Sequence, residues 1–89
     1  MLVKIPTQLR SYTDGAALVT VDACAPRTLD GVLRLLDQRH AGLRFRIIDE
    51  QAQVRPHIKL FVDGVLQRDL DTAVDEAREL MIVGALSGG

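Results

Sequence analysis

The strongest periodicity in the chain lies in its middle third. Leu29, Val32, Leu33 and Leu36 recur at i, i+3, i+4 and i+7, the apolar stripe of a helix that must lie on something. Thr28 stands where an N-cap is needed, Asp30 falls in the first turn, and Arg39 and His40 fall in the last, each favourable to the helix dipole. Gly42 is placed to end the helix in the left-handed conformation, while Arg34, Asp37 and Gln38 take the water side. On either side the period changes to two. Val3 and Ile5 alternate with Lys4 in residues 2–10, Val19 and Val21 share a face in residues 17–22, and Ile58, Leu60 and Val62 alternate with Lys59 and Phe61. Residues 65–68 and 80–83 read as a short strand and a last strand.

The punctuation fixes how these elements join. Pro6 cannot donate to a ladder and marks where the first strand stops pairing. Asp14-Gly15 and Asp63-Gly64 supply the positive φ of tight reversals, so residues 2–10 and 17–22 form an N-terminal hairpin. Leu43, Ile47 and Ile48 suggest a short helical turn over the end of the core, residues 49–53 an exposed loop, and Pro56 an extended Arg55. Thr72-Ala73-Val74 suggests a single helical turn within residues 69–79, and the strand at 58–62 is expected at the centre of the sheet. A helix leaving a hairpin crosses one face and returns the chain parallel to the first strand. The order therefore predicts an α+β fold: a β-grasp, ubiquitin-like roll with a mixed sheet of four to five strands and one main helix across one face. Residues 1–83 form this domain, and residues 84–89 a tail.

Composition mainly excludes. At 47% apolar, the 89 residues suit one globular domain and not a disordered chain. A net charge of −1 offers no basic field for nucleic acid, and Tyr12, Phe45 and Phe61 are too few and scattered to stack a single strand. The lone cysteine, Cys24, allows no internal disulfide and reads as a small buried hydrophobe. His40 and His57 lack partners spaced for a metal, and no glycine loop followed by Lys and Ser/Thr would hold ATP. The cluster Asp69, Asp71, Asp75 and Glu76 reads as a solvated turn. With no signal-like start and no apolar run long enough to span a bilayer, a cytoplasmic protein is expected, with neither membrane nor nucleic-acid partners.

What remains is the end. Gly84-Ala85-Leu86-Ser87-Gly88-Gly89 follows directly on the last strand. Extended, six residues reach about 20 Å, and a bare diglycine can thread a narrow channel closed to any Cβ. The same stretch is also linker-like. Strand alternation puts Phe61 and Lys59 opposite the core face, with Met81 and Val83 beside them. Phe61, Met81 and Val83 then form an exposed apolar patch at the root of the tail, the kind of surface that marks a partner site.

Three stretches together resemble the MoaD/ThiS group of ubiquitin-like sulfur carrier proteins: residues 3–10 (Val-Lys-Ile-Pro-Thr-Gln-Leu-Arg), Phe61-Val62-Asp63-Gly64, and Met81-Ile82-Val83 leading to Gly88-Gly89. Gly42-Leu43-Arg44-Phe45-Arg46-Ile47 is similar to a stretch in the cysteine-biosynthesis carriers of that group. The resemblance implies that a partner enzyme uses ATP to adenylate the carboxylate of Gly89, and that sulfur then displaces AMP to leave a thiocarboxylate. Gly89 would be the reacting residue and Gly88 the steric requirement, with Leu86 and Ser87 joining Phe61, Met81 and Val83 in holding the partner. The chain itself would bind no cofactor and would not be an enzyme. Its implied partners are the activating enzyme and a sulfur-accepting synthase serving cysteine, molybdopterin, thiamine or a secondary metabolite. A peptidase joins them if Gly89 must first be exposed. A protein modifier joined through Gly89 and a non-reactive interaction module stay open beside this reading. Gly84, where such carriers commonly have proline, implies a more flexible tail root.

Overall fold

The computed structural model describes residues 1–21, 28–75 and 77–84. Its strands are β1 (Leu2–Lys4), β2 (Leu18–Thr20), β3 (Ile58–Val62), β4 (Val65–Gln67) and β5 (Glu79–Gly84), and its helices α1 (Leu29–Arg39) and α2 (Leu43–Ile47). They form one five-stranded sheet in the order β2-β1-β5-β3-β4, parallel only between β1 and β5. This is the β-grasp roll that the element order predicts. None of the helices is long and apolar enough to cross a membrane among the described residues.

Side-chain alternation builds the core. Val3, Val19, Leu60, Leu80 and Ile82 line one sheet face and are buried, and the α1 stripe of Leu29, Val32, Leu33 and Leu36 is buried against them. Leu43, Ile47 and Ile48 close one end. The Thr28 hydroxyl accepts the Gly31 N–H at 3.1 Å, as its position before the stripe predicts. Gly42 adopts φ 91° at the corner between α1 and α2, although the capping residue of α1 is His40.

Several local expectations are corrected. Asp14 and Gly15 do take left-handed φ of 53° and 84°, but they end a 3₁₀ helix over Thr7–Thr13 and do not form a two-residue hairpin turn. That helix forms because Leu9 and Thr13 can be buried there, Thr13 by donating its hydroxyl to the Ala16 carbonyl at 2.8 Å. Thr72-Ala73-Val74 is not helical. Ala73 bridges to Thr28, and the carbonyls of Thr72 and Leu70 accept the N–H groups of Leu29 and Asp30 at 2.9 and 3.0 Å, so this segment supplies acceptors to the open first turn of α1. Asp37 does not simply face water: its Oδ1 takes the backbone N–H groups of Gly42 and Arg44, each at 3.1 Å. The central strand is β5, with β3 beside it. The reading of Cys24 as buried falls outside the described residues.

Candidate functional site

Because neighbouring strands are in register, the sheet face turned away from α1 can be read row by row. Leu18 on β2 pairs with Lys4 on β1, Lys4 with Met81 on β5, Met81 with Phe61 on β3, and Phe61 with Leu66 on β4. One row thus crosses all five strands carrying Leu, Lys, Met, Phe and Leu. In the next row towards the exit of β5, Val83 pairs with Lys59. Phe61, Met81 and Val83 are half-buried among one another, while Leu18 and Leu66 are 55% and 43% exposed. The three predicted patch residues are therefore brought together on the outer face, as their alternation requires.

Leu18 and Leu66 extend the patch to both edges and escaped the sequence reading. Leu66 was within reach, because the two-residue Asp63-Gly64 turn sets Val62 opposite Val65 and Phe61 opposite Leu66. A single positive group crosses the apolar row near its middle, and Lys4 is tied at 3.5 Å to Glu79 in the row behind.

The exit of β5 is held more firmly than a glycine at its end suggests. Gly84 pairs with Ile58, and its carbonyl accepts the Gln8 side-chain N–H at 2.7 Å. A Cβ at Gly84 would meet that same side chain at 3.4 Å. This corrects the expectation of a looser root: the 3₁₀ helix clasps the strand at its last described residue. Nothing in the sequence pointed to Gln8, because the contact joins residues 76 positions apart. Leu86, Ser87, Gly88 and Gly89 lie outside the described residues.

The opposite, helical side carries a different constellation. Arg34 and Arg44 both donate to Asp30, at 2.8 and 2.7 Å, beside an open groove of about 420 Å³ that Arg68, Asp69 and Asp71 also line. Burial acts to raise the Asp30 carboxyl, but the hydrogen bonds and charges of the two arginines outweigh it and hold the group below its usual range. Opposite charges are matched in number along this groove, so it selects no ligand by charge. No group of three or more metal-ligating side chains occurs among the described residues.

No family model and no curated protein matches the chain in sequence. Solved structures do match over nearly its whole length. It is similar to the BexX/CysO complex of Amycolatopsis orientalis, at 27% identity over 99% of this chain and 98% of that one, with a TM-score of 0.85. It is also similar to SAMP1 from Haloferax volcanii, at 26% identity over 100% and 98% of the two chains and a TM-score of 0.81. CysO of Mycobacterium tuberculosis shares the fold at a TM-score of 0.84 over 96% and 98%, with 24% identity. The fold and these likenesses define the class: the chain is a ubiquitin-like β-grasp protein, similar to the small carriers and modifiers of the MoaD/ThiS type. These neighbours are small carrier and modifier proteins rather than enzymes, and one of the structures is a complex of two proteins.

Proposed function

We propose that this chain is a sulfur carrier whose outer sheet face docks an activating enzyme and whose residues 85–89 deliver the carboxylate of Gly89 to it. The observation that carries this reading is the continuity of β5. One central strand bears Met81 and Val83 on the apolar face and is followed directly in sequence by residues 85–89, which include Gly88-Gly89. Docking through that face would set the distance and direction of the tail.

The chemistry asks little of the carrier. A carboxylate oxygen of Gly89 attacks the α-phosphorus of ATP, forming an O–P bond as pyrophosphate leaves. A hydrosulfide-level sulfur then forms a C–S bond at the acyl carbon as the C–O bond to AMP breaks, leaving the thiocarboxylate. Base, metal and nucleotide site all belong to the partner, and the absence of side chains at Gly88 and Gly89 keeps the acyl carbon unhindered. The likeness to the BexX/CysO complex supports a partnered carrier.

A second reading has its own support: the likeness to SAMP1, also described as small archaeal modifier protein 1, favours attachment of Gly89 to protein lysines. Mass spectrometry of the protein from its native cells tests both. Replacement of one terminal oxygen by sulfur is expected for the carrier, and, after tryptic digestion, the peptide from Glu79 to Gly89 joined to lysines of other proteins for the modifier. Deleting Gly89 should abolish sulfur transfer in a reconstituted system, and undiminished transfer would refute the carrier reading.

A further inference from the structure

The end of the sheet from which β5 exits carries a second constellation, distinct from the outer face. The Arg55 guanidinium lies over the Phe45 ring, 4.7 Å from its centroid, and Nε donates to the Phe45 carbonyl at 2.8 Å. Arg46 lies over the Tyr12 ring at 5.5 Å, and its Nε donates to the Tyr12 hydroxyl. Both arginines are therefore anchored through Nε and by a ring, which leaves their terminal nitrogens to point elsewhere. Arg34 and Arg44 share Asp30 and Lys4 reaches Glu79, but neither Arg46 nor Arg55 has a carboxylate within ion-pair distance among the described residues. Two nearby acids are engaged, Asp37 with the N–H groups of Gly42 and Arg44 and Asp49 with those of Gln51 and Gln53, while the exposed Glu50, between the two arginines in sequence, pairs with neither. Phe45 itself is 54% exposed.

These residues flank the exit of β5 from two sides. Tyr12 belongs to the 3₁₀ helix whose Gln8 holds the Gly84 carbonyl. Arg55 lies three residues before Ile58, the strand partner of Gly84, and its carbonyl accepts the Ile58 N–H at 2.9 Å. Asp63 lies at the other end of β5, where its Oδ1 accepts the N–H groups of Arg78 and Glu79.

We propose that Arg46, Arg55 and Phe45 form a docking surface for acidic side chains on the protein partner that takes up the tail, a surface separate from the apolar sheet face. The proposal rests on the carrier or modifier reading for its choice of partner. Planar guanidinium groups pair with carboxylates through two parallel N–H···O bonds, and side chains already fixed by stacking lose little freedom on binding. Arginine beside an exposed aromatic is also the composition that dominates binding energy at protein interfaces. Nucleic acid fits less well: the positive cluster is small, and an arginine already stacks on each ring.

The test is pyrophosphate release by the activating enzyme purified from the same organism, at varied carrier and salt concentrations. R46E/R55E should raise KM about tenfold or more at low salt, with kcat changed far less, and the difference should shrink as salt rises. R46K/R55K, which keeps the charge and loses the fork, should fall between that variant and wild type. Thermal melting by circular dichroism checks that both variants are folded. An unchanged KM for R46E/R55E, or a rise that is the same at every salt concentration, would overturn the proposal. If wild type itself is not activated, the carrier reading fails, and the surface is tested alone by NMR titration with a glutamate-rich peptide and with a single-stranded oligonucleotide. Shifts at Phe45, Arg46 and Arg55 with the peptide, lost in R46E/R55E, support the surface. Shifts with the oligonucleotide alone, or with neither probe, overturn it.

Discussion

Leu80 and Met81 are adjacent in sequence and face opposite ways, so the same truncation at each should do different things. Leu80 is fully buried between the sheet and α1, and Leu80→Ala should cost about 2–5 kcal/mol through lost transfer energy and an unfilled cavity. In a domain of this size each kcal/mol moves the melting temperature by roughly 4–8 °C, so the loss should be at least about 8 °C. Met81 is half-buried on the outer face against Phe61 and Lys4. Full burial of a methionine is worth about 1.5–3 kcal/mol, so Met81→Ala should cost about 1 kcal/mol. Function should invert the order, with Met81→Ala weakening activation by the partner and Leu80→Ala acting only through the fraction folded. Thermal melts and pyrophosphate release, measured together below both transitions, check this. A larger loss for Met81→Ala than for Leu80→Ala would mean that β5 is misassigned by one residue and that the outer patch does not exist.

Two further outcomes follow from local geometry. Folding depresses the Asp30 carboxyl below its ordinary 3.8, so its contribution to stability is present above that value and is lost as pH falls through the lower folded value. Asp30→Asn should therefore be less stable than wild type at neutral pH, with the gap closing as the solution is acidified below that range, as read from urea midpoints against pH. Gly42→Ala places a Cβ 3.3 Å from the Tyr12 ring at φ 91°, and should cost about 1–2 kcal/mol from the left-handed backbone alone. A melting temperature equal to wild type would show that the corner between α1 and α2 relaxes freely.

The elements most legible in the sequence were those whose burial is decided by their own spacing. The α1 stripe, the alternation of β3 and the Asp63-Gly64 turn each carry their instructions within a few residues, and the order of elements then implied the roll. What the sequence concealed was settled between distant segments. Thr72 and Ala73 have the composition of a helical turn, yet they stay extended because the first N–H groups of α1 require their carbonyls. Gln8 gives no sign that it meets Gly84, and the stacking of Arg55 on Phe45 depends on a reversal between them. The outer patch was half legible: alternation gave Phe61, Met81 and Val83, but Leu18 joins them only because β1 lies between β2 and β5.

The place of β5 in the strand order bears on when the domain can exist at all. The β1–β2 and β3–β4 ladders share no edge, and only β5 joins them. Until residues 79–84 are available, the chain can form two separate hairpins, and isolated two-stranded hairpins are marginal in water. During synthesis, then, the sheet must wait until residues 79–84 have left the ribosome. A product truncated before residue 79 would therefore be left with two unjoined hairpins, although every other strand of the sheet had been made.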